Sequence, residues 1–232
     1  MKKTNQILLT VVAIAIAIAA GWFFVSQTRS NPKTTGQQDL NLNGDKKSNN
    51  SQVVARVNDE EISSRELESL KQSFGQRAEQ VSDKEILDQL INKELILQEA
   101  RKQGYSITDQ EAESMLKSRL QQQNKSLEEY KQQLNSQGGS YESQLSKLKD
   151  DLVIQKYLQE EFKNKDFEAT EEEAKNFYDK RAAQSSNGQL PPFEQVAPQM
   201  KQAVKQQKRG RAIESLAQQL RKDANIEYVK EF

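Results

Sequence analysis

Neither cysteine nor histidine occurs in the 232 residues, which also hold only four prolines, nine glycines and one tryptophan. Without the first two there is no imidazole acid or base, no thiolate nucleophile, no disulfide frame and no zinc site of the usual nitrogen and sulfur type. Catalysis by carboxylates or hydroxyls is the chemistry left open. A glycine-rich phosphate loop and a dinucleotide fingerprint are absent as well, so no cofactor is implied. Aromatics make up 6% of the chain while glutamine occurs thirty times, and such a chain is short of bulky core formers. An extended helical body is expected rather than one thick core. Basic and acidic residues balance at 34 each, but residues 1–29 carry Lys2, Lys3 and Arg29 and no acid, which leaves the remainder at net −3. That balance argues against a nucleic-acid partner.

Ile7 to Val25 is a run of nineteen residues with Thr10 as its single polar member. At about 1.5 Å per residue, a helix of that length matches a hydrocarbon core of roughly 30 Å. Lys2 and Lys3 before it favour a short cytoplasmic tail at residues 1–6, and Trp22 suits the far interface. This predicts a single-pass signal anchor with everything from Ser26 onward outside the cytoplasmic membrane. The rival reading is a secreted chain released by signal-peptide cleavage, since Ala17-Ile18-Ala19 resembles a small-residue cleavage site. The anchor is preferred because the apolar run continues through Gly21-Trp22-Phe23-Phe24-Val25, beyond an ordinary signal core. No cysteine follows to take a lipid. Residues 26–52 are rich in Asn, Ser, Gln, Gly and Lys, with Leu40 and Leu42 as the sizeable apolar groups, and read as a disordered tether reaching about 30 Å.

From residue 53 the pattern is that of a folded domain. Val53–Val57 reads as a short strand, Asn58-Asp59 as a turn, and Ser63 with Glu66 as a helix start of capping-box spacing. The same spacing recurs at Ser82 and Glu85, Thr108 and Glu111, Ser126 and Glu129, and Thr170 and Glu173, so about five helix starts are expected. Gly104 and Gly138-Gly139 read as helix stops. Ser140 opens a long helix to about Phe162. Ile86 to Ala100 is apolar on more than one face and is expected to be the centre of the core. Pro191-Pro192 leads into a final helical stretch that Pro198 is expected to kink and Gly210 to weaken. Ile226–Val229 alternates like a strand and is expected to pair with Val53–Val57, because a lone strand has no ladder partner.

Thr108 to Gln137 carries only a thin apolar set, Met115, Leu116, Leu120, Leu127, Tyr130 and Leu134, among charged and Gln positions. One reading is an antiparallel hairpin that uses these residues for its own seam. The other leaves part of the stripe exposed to meet other polypeptides. The acidic clusters at Asp59-Glu60-Glu61, Glu160-Glu161 and Glu171-Glu172-Glu173 read as solvated charge rather than metal sites, because neighbours along a helix do not face one another. The capping hydroxyls have a local explanation and no partner for nucleophilic use. The basic run Lys201–Arg211 reads as a solvated helix face, with contact to anionic lipid or wall polymer as its alternative.

Taken in order, VVARVNDEEISSRELE, ILDQLINKELILQEARKQGYSITDQEAE, ATEEEAKNFYDK and PPFEQVAPQMKQAVKQQKRGRAIESLAQQLRKDANIEY resemble the chaperone part of the SurA and PrsA group of extracytoplasmic folding factors over about residues 53–231. The block Leu87–Asp109 is the most specific piece. The resemblance implies a mainly helical holdase-like module with a small two-stranded element joining its ends, the last long helix lying back on the first ones. In that group a parvulin-type prolyl isomerase domain usually sits between the YDK-like and PFEQV-like helices. Here that interval, Asp179 to Pro192, is fourteen residues without a histidine, so the isomerase domain and its activity are expected to be absent.

Three functions compete on this reading. The leading one is a membrane-anchored, ATP-independent chaperone for unfolded exported polypeptides, with no catalytic, cofactor or metal residues. Its client-contact candidates are Met115, Leu116, Leu120, Tyr130 and Leu134. The second is an envelope assembly factor or scaffold with a single partner. The third, an active prolyl isomerase, is disfavoured.

Overall fold

The computed structural model describes residues 52–184 and 190–230. The expected tail at 1–6, the anchor at Ile7–Val25 and all of the tether except Gln52 lie outside the described residues. Among the described residues no helix is long and apolar enough to cross a membrane.

The body is mainly helical, with one small antiparallel sheet of order β2-β1-β3. β1 (Val53–Val57) pairs with β3 (Ile226–Tyr228), so the two ends of the folded part do meet, with Ala55 opposite Tyr228 and Val57 opposite Ile226. The sheet has three strands rather than two. Asn58 adopts a left-handed backbone (φ 55°), which turns the chain back so that β2 (Glu60–Ser63) lies along β1 before the first helix begins. Asn58 is also fixed from both sides: its amide donates to Gln98 Oε1 at 2.6 Å, and its side-chain oxygen accepts from the Asn225 N–H at 2.9 Å.

Among the described residues seven α-helices follow: α1 (Ser64–Ser73), α2 (Asp83–Lys102), α3 (Asp109–Gln122), α4 (Leu127–Ser136), α5 (Tyr141–Glu161), α6 (Glu171–Gln184) and α7 (Phe193–Arg221), with a 3-10 turn at Gly75–Gln80. All five expected capping boxes are formed. At Ser82 the hydroxyl accepts from the Glu85 N–H at 3.2 Å and the Glu85 carboxylate accepts from the Ser82 N–H at 2.9 Å. Ser63, Thr108, Ser126 and Thr170 repeat the exchange. Each cap satisfies amides that a helix start leaves without partners. Gly104 (φ 86°) and Gly138 (φ 71°) end α2 and α4 in the left-handed region.

Three cores divide the apolar residues. The amino-terminal half of α2 gives Ile86, Leu87, Ile91 and Leu95 to a core shared with Val54, Ala55, Val57 and Ile62 of the sheet and Leu67 of α1. Its carboxy-terminal half gives Ile96, Leu97 and Ala100 to a second core with Val153, Ile154, Tyr157 and Leu158 of α5 and Ile213 and Ala217 of α7. The third joins Ala112, Leu116 and Leu120 of α3 to Leu148 and Leu152 of α5. At roughly 1.5–3 kcal/mol for each large side chain fully buried, the first two dominate. α2 is therefore the axis of the body, as its apolar pattern requires.

α7 runs from Phe193 to Arg221 as one helix with Pro198 inside it, and Gly210 is buried rather than a weak point. Its far end clasps α2. Arg221 Nε donates to Asn92 Oδ1 at 2.6 Å, Arg221 Nη2 donates to Asp88 Oδ1 at 2.9 Å, and the Tyr228 hydroxyl donates to the same carboxylate oxygen at 2.8 Å. Tertiary contacts of this kind outweigh the intrinsic cost of one glycine in a helix.

Candidate functional site

The five residues expected to meet clients do not share one exposed stripe. Met115 stands outward, 44% exposed, whereas Leu116 and Leu120 on the next faces of α3 are 2% and 4% exposed. Leu127 and Tyr130 of α4 pack against the core that holds Leu116 and Leu120, but the hairpin does not close that core alone. Leu148 and Leu152 of α5 cover them, because α5 is long enough for its first half to line α3 and its second half the central body. Tyr130 and Leu134 of α4 are half-buried, Tyr130 against this third core and Leu134 beside Gly139, where an added Cβ would lie 3.4 Å from Leu134 Cδ2. The structure thus gathers all five on the α3–α4 arm, with two beneath the surface and three at or near it.

Around them the arm is polar and loosely satisfied. A hollow of about 370 Å³ is lined by Gln110, Glu113, Ser114 and Lys117, with Lys117 Nζ 2.6 Å from Glu113 Oε1. That pairing raises the lysine and lowers the glutamate from their ordinary ranges. Lys131 Nζ lies 4.6 Å from the centroid of the Tyr141 ring. Burial pushes the Tyr130 phenol up to about 12 and raises Tyr141 as well. The Tyr141 hydroxyl is buried with no hydrogen-bond partner among the described residues. An unsatisfied buried hydroxyl costs on the order of 1–3 kcal/mol, and this one sits where α3, α4 and α5 meet.

The charged clusters are used structurally where the structure describes them. Glu61 pairs with Arg56, Glu160 with Lys163, and Glu173 with Lys208. Of the five basic residues in the run Lys201–Arg211, Lys205 pairs with Glu168, and Lys208 also donates to the Glu168 carbonyl at 2.8 Å, so two of them are tied to the start of α6. No group of carboxylates among the described residues could hold a metal ion.

Two surfaces carry more apolar character than the sequence pattern suggested. α6 and α7 form a second arm, where the Tyr178 and Phe193 rings meet edge to face at 5.7 Å and the Tyr178 hydroxyl donates to the Pro191 carbonyl at 2.8 Å. Phe177, Val196 and Met200 are half-buried on these helices. The second surface is β3, whose Tyr228 and the following Val229 are 42% and 44% exposed. The Pro191-Pro192 pair next to an aromatic was the available signal for the first, and the alternation at Ile226–Val229 for the second.

Against known proteins, the model of the SurA-like N-terminal domain matches residues 1–158. No curated protein matches. Among solved structures, this fold is similar to a chain from work describing the virulence factor PEB4 and the periplasmic protein Cj1289 as two structurally related SurA-like chaperones in Campylobacter jejuni. The likeness has a TM-score of 0.52 at 17% identity and covers 77% of this chain and 99% of that one. A strand-first helical body whose last helix returns to its first, and a family match across more than half of its length, place this protein in the SurA-like chaperone family.

Proposed function

We propose that this protein is an ATP-independent holding chaperone for unfolded exported polypeptides, tethered outside the cytoplasmic membrane by Ile7–Val25 and without isomerase activity. The observation that carries the reading is the contrast within the body: a well-filled axis supports an α3–α4 arm whose core is thin and whose Met115 stands exposed, next to a Tyr141 hydroxyl of α5 that lacks a partner among the described residues. Such a surface can repack around varied apolar segments, and the flexible thioether of Met115 suits that use. Met115, Tyr130 and Leu134 make the contacts on this reading, while Leu116 and Leu120 hold the arm from beneath. The absence of isomerase activity is supported by the join between α6 and α7, where eight residues separate Gln184 from Phe193.

The test is aggregation suppression by the full chain in nanodiscs, with several unrelated unfolded proteins as substrates and a prolyl-peptide assay on the same preparation. Holding without isomerisation is expected, and Met115→Ser should weaken holding while the thermal melt stays in place. Isomerisation above background would overturn the non-enzymatic reading. Failure to delay aggregation of any substrate would leave the single-partner envelope factor, which in-cell crosslinking to one protein would identify.

A further inference from the structure

β3 is an edge strand, and its outer side is unpaired among the described residues. The ladder to β1 fixes which backbone groups face outward. Asn58 N–H donates to the Asn225 carbonyl at 2.7 Å and Val229 N–H to the Val54 carbonyl at 3.0 Å, so the residues that face β1 alternate as Asn225, Glu227 and Val229. Ile226 and Tyr228 therefore turn their N–H and C=O groups away from the sheet. The strand is also pre-ordered. Asn225 is tied to Asn58, and the Tyr228 hydroxyl is held by Asp88 with Lys84 Nζ 5.0 Å from the centre of its ring. A partner that pairs with this edge meets a strand already set in its extended form, which removes much of the ordering cost of association.

The side chains say what that partner is. On the solvent face of the sheet Glu61, Arg56 and Glu227 lie side by side, with Arg56 3.3 Å from Glu61 Oε1 and 3.2 Å from Glu227 Oε2. One guanidinium is shared between two carboxylates, so the row ends in net negative charge at the free edge, where Glu227 is 59% exposed. On the other face Ile226 is half-buried against the core beneath the sheet, and Tyr228 extends that apolar row to the edge at 42% exposure. A second copy of the chain is a poor occupant: full antiparallel overlap of two β3 strands sets Glu227 directly opposite its own counterpart, and like charges in opposed positions disfavour pairing.

We propose that β3 captures an extended client segment by strand addition, preferring a basic residue opposite Glu227 with an apolar residue on each side. This rests on the chaperone reading and assigns it a backbone-reading site separate from the α3–α4 arm. In this arrangement the residues flanking the basic one exchange hydrogen bonds with Ile226 and Tyr228, and the basic side chain meets Glu227 across a non-hydrogen-bonded pair, where side chains come closest.

Fluorescent heptapeptides test it on the full chain in nanodiscs, with Val-Lys-Val or Val-Glu-Val at their centres. The lysine peptide should bind about fivefold more tightly at low salt, with the gap closing at high salt. Glu227→Gln should abolish the preference and Glu227→Lys should reverse it. N-methylation of the second valine, which blocks a hydrogen bond to β3, should lower binding about tenfold, whereas N-methylation of the lysine should cost far less. Circular dichroism of each variant checks that the sheet survives. Equal binding of the two peptides, or a preference unchanged in Glu227→Lys, overturns strand addition. If either result accompanies intact aggregation suppression, the holding function stands and the edge is excluded. If aggregation suppression is lacking in the wild type, the chaperone reading itself fails whatever the peptides do.

Discussion

The two ends of α5 belong to different kinds of protein interior. Its second half, Val153 to Leu158, joins a body in which α2 places Ile86, Leu87 and Ile91 at 0% exposure and α7 returns to lock α2 through Arg221, Asn92 and Asp88. Its first half supports an arm held by five buried residues, flanked by exposed Met115 and by a tyrosine hydroxyl with no partner among the described residues. A single helix thus links a region of high contact density to one of low density, and local opening follows the second. The comparison teaches where a holding surface can sit: on the part of the fold that can rearrange without unfolding the part that carries it.

Removing bulk from the axis should have the largest effect. Ile91→Ala leaves a cavity in the core between sheet and α2, and is expected to lower stability by about 4 kcal/mol in urea titration, with loss of the whole cooperative transition. Leu116→Ala should cost about 2–3 kcal/mol, but locally. Hydrogen exchange should show faster amides across Asp109–Ser136 while those of Asp83–Lys102 keep their protection. If both regions lose protection together, arm and body are one unit and the comparison breaks. Tyr141→Phe removes a buried hydroxyl without a partner among the described residues and should raise stability by about 1 kcal/mol, an effect opposite in sign to ordinary core substitutions.

The smallest effect is electrostatic. Glu111 and Glu129 accept hydrogen bonds from the backbone N–H groups of Thr108 and Ser126, and these hold both carboxyls below the ordinary glutamate range. A lowered folded-state value means that the stability they lend is present above the unfolded range and lost as pH falls through the depressed values. The helicity of α3 and α4 should therefore fray on acidification below the ordinary glutamate range, before the α2 axis responds. Circular dichroism against pH, with Glu111→Gln and Glu129→Gln as controls that flatten the response, checks the assignment.

Local features were legible because their causes are local. Each Ser or Thr with a Glu three residues on became a cap, since both partners of that exchange lie within one turn. Gly104 and Gly138 stop helices for a reason contained in one residue's backbone. The dense apolar pattern of Ile86–Ala100 marked the axis, and the two β-prone ends marked each other. β2 escaped notice because Glu60 and Glu61 look like the acidic start of a helix, and the hairpin depends on the left-handed backbone of Asn58 and its bonds to Gln98 and Asn225. Of the five candidate contact residues, the sequence could group Met115, Leu116, Leu120, Tyr130 and Leu134 on one arm. It could not say which of them α5 covers.

By itself, then, the sequence determined the helix starts and stops, the central helix, the meeting of the two ends and the exclusion of histidine and cysteine chemistry, because each depends on residue type or short spacing. Only the tertiary structure decided that α5 divides its two halves between arm and body, that Leu116 and Leu120 are buried while Met115 is not, and that β3 leaves an acidic edge unpaired among the described residues. Those outcomes depend on which distant segment lies against which face, and partners more than a hundred residues apart, such as Arg221 and Asp88, leave no mark in either segment alone.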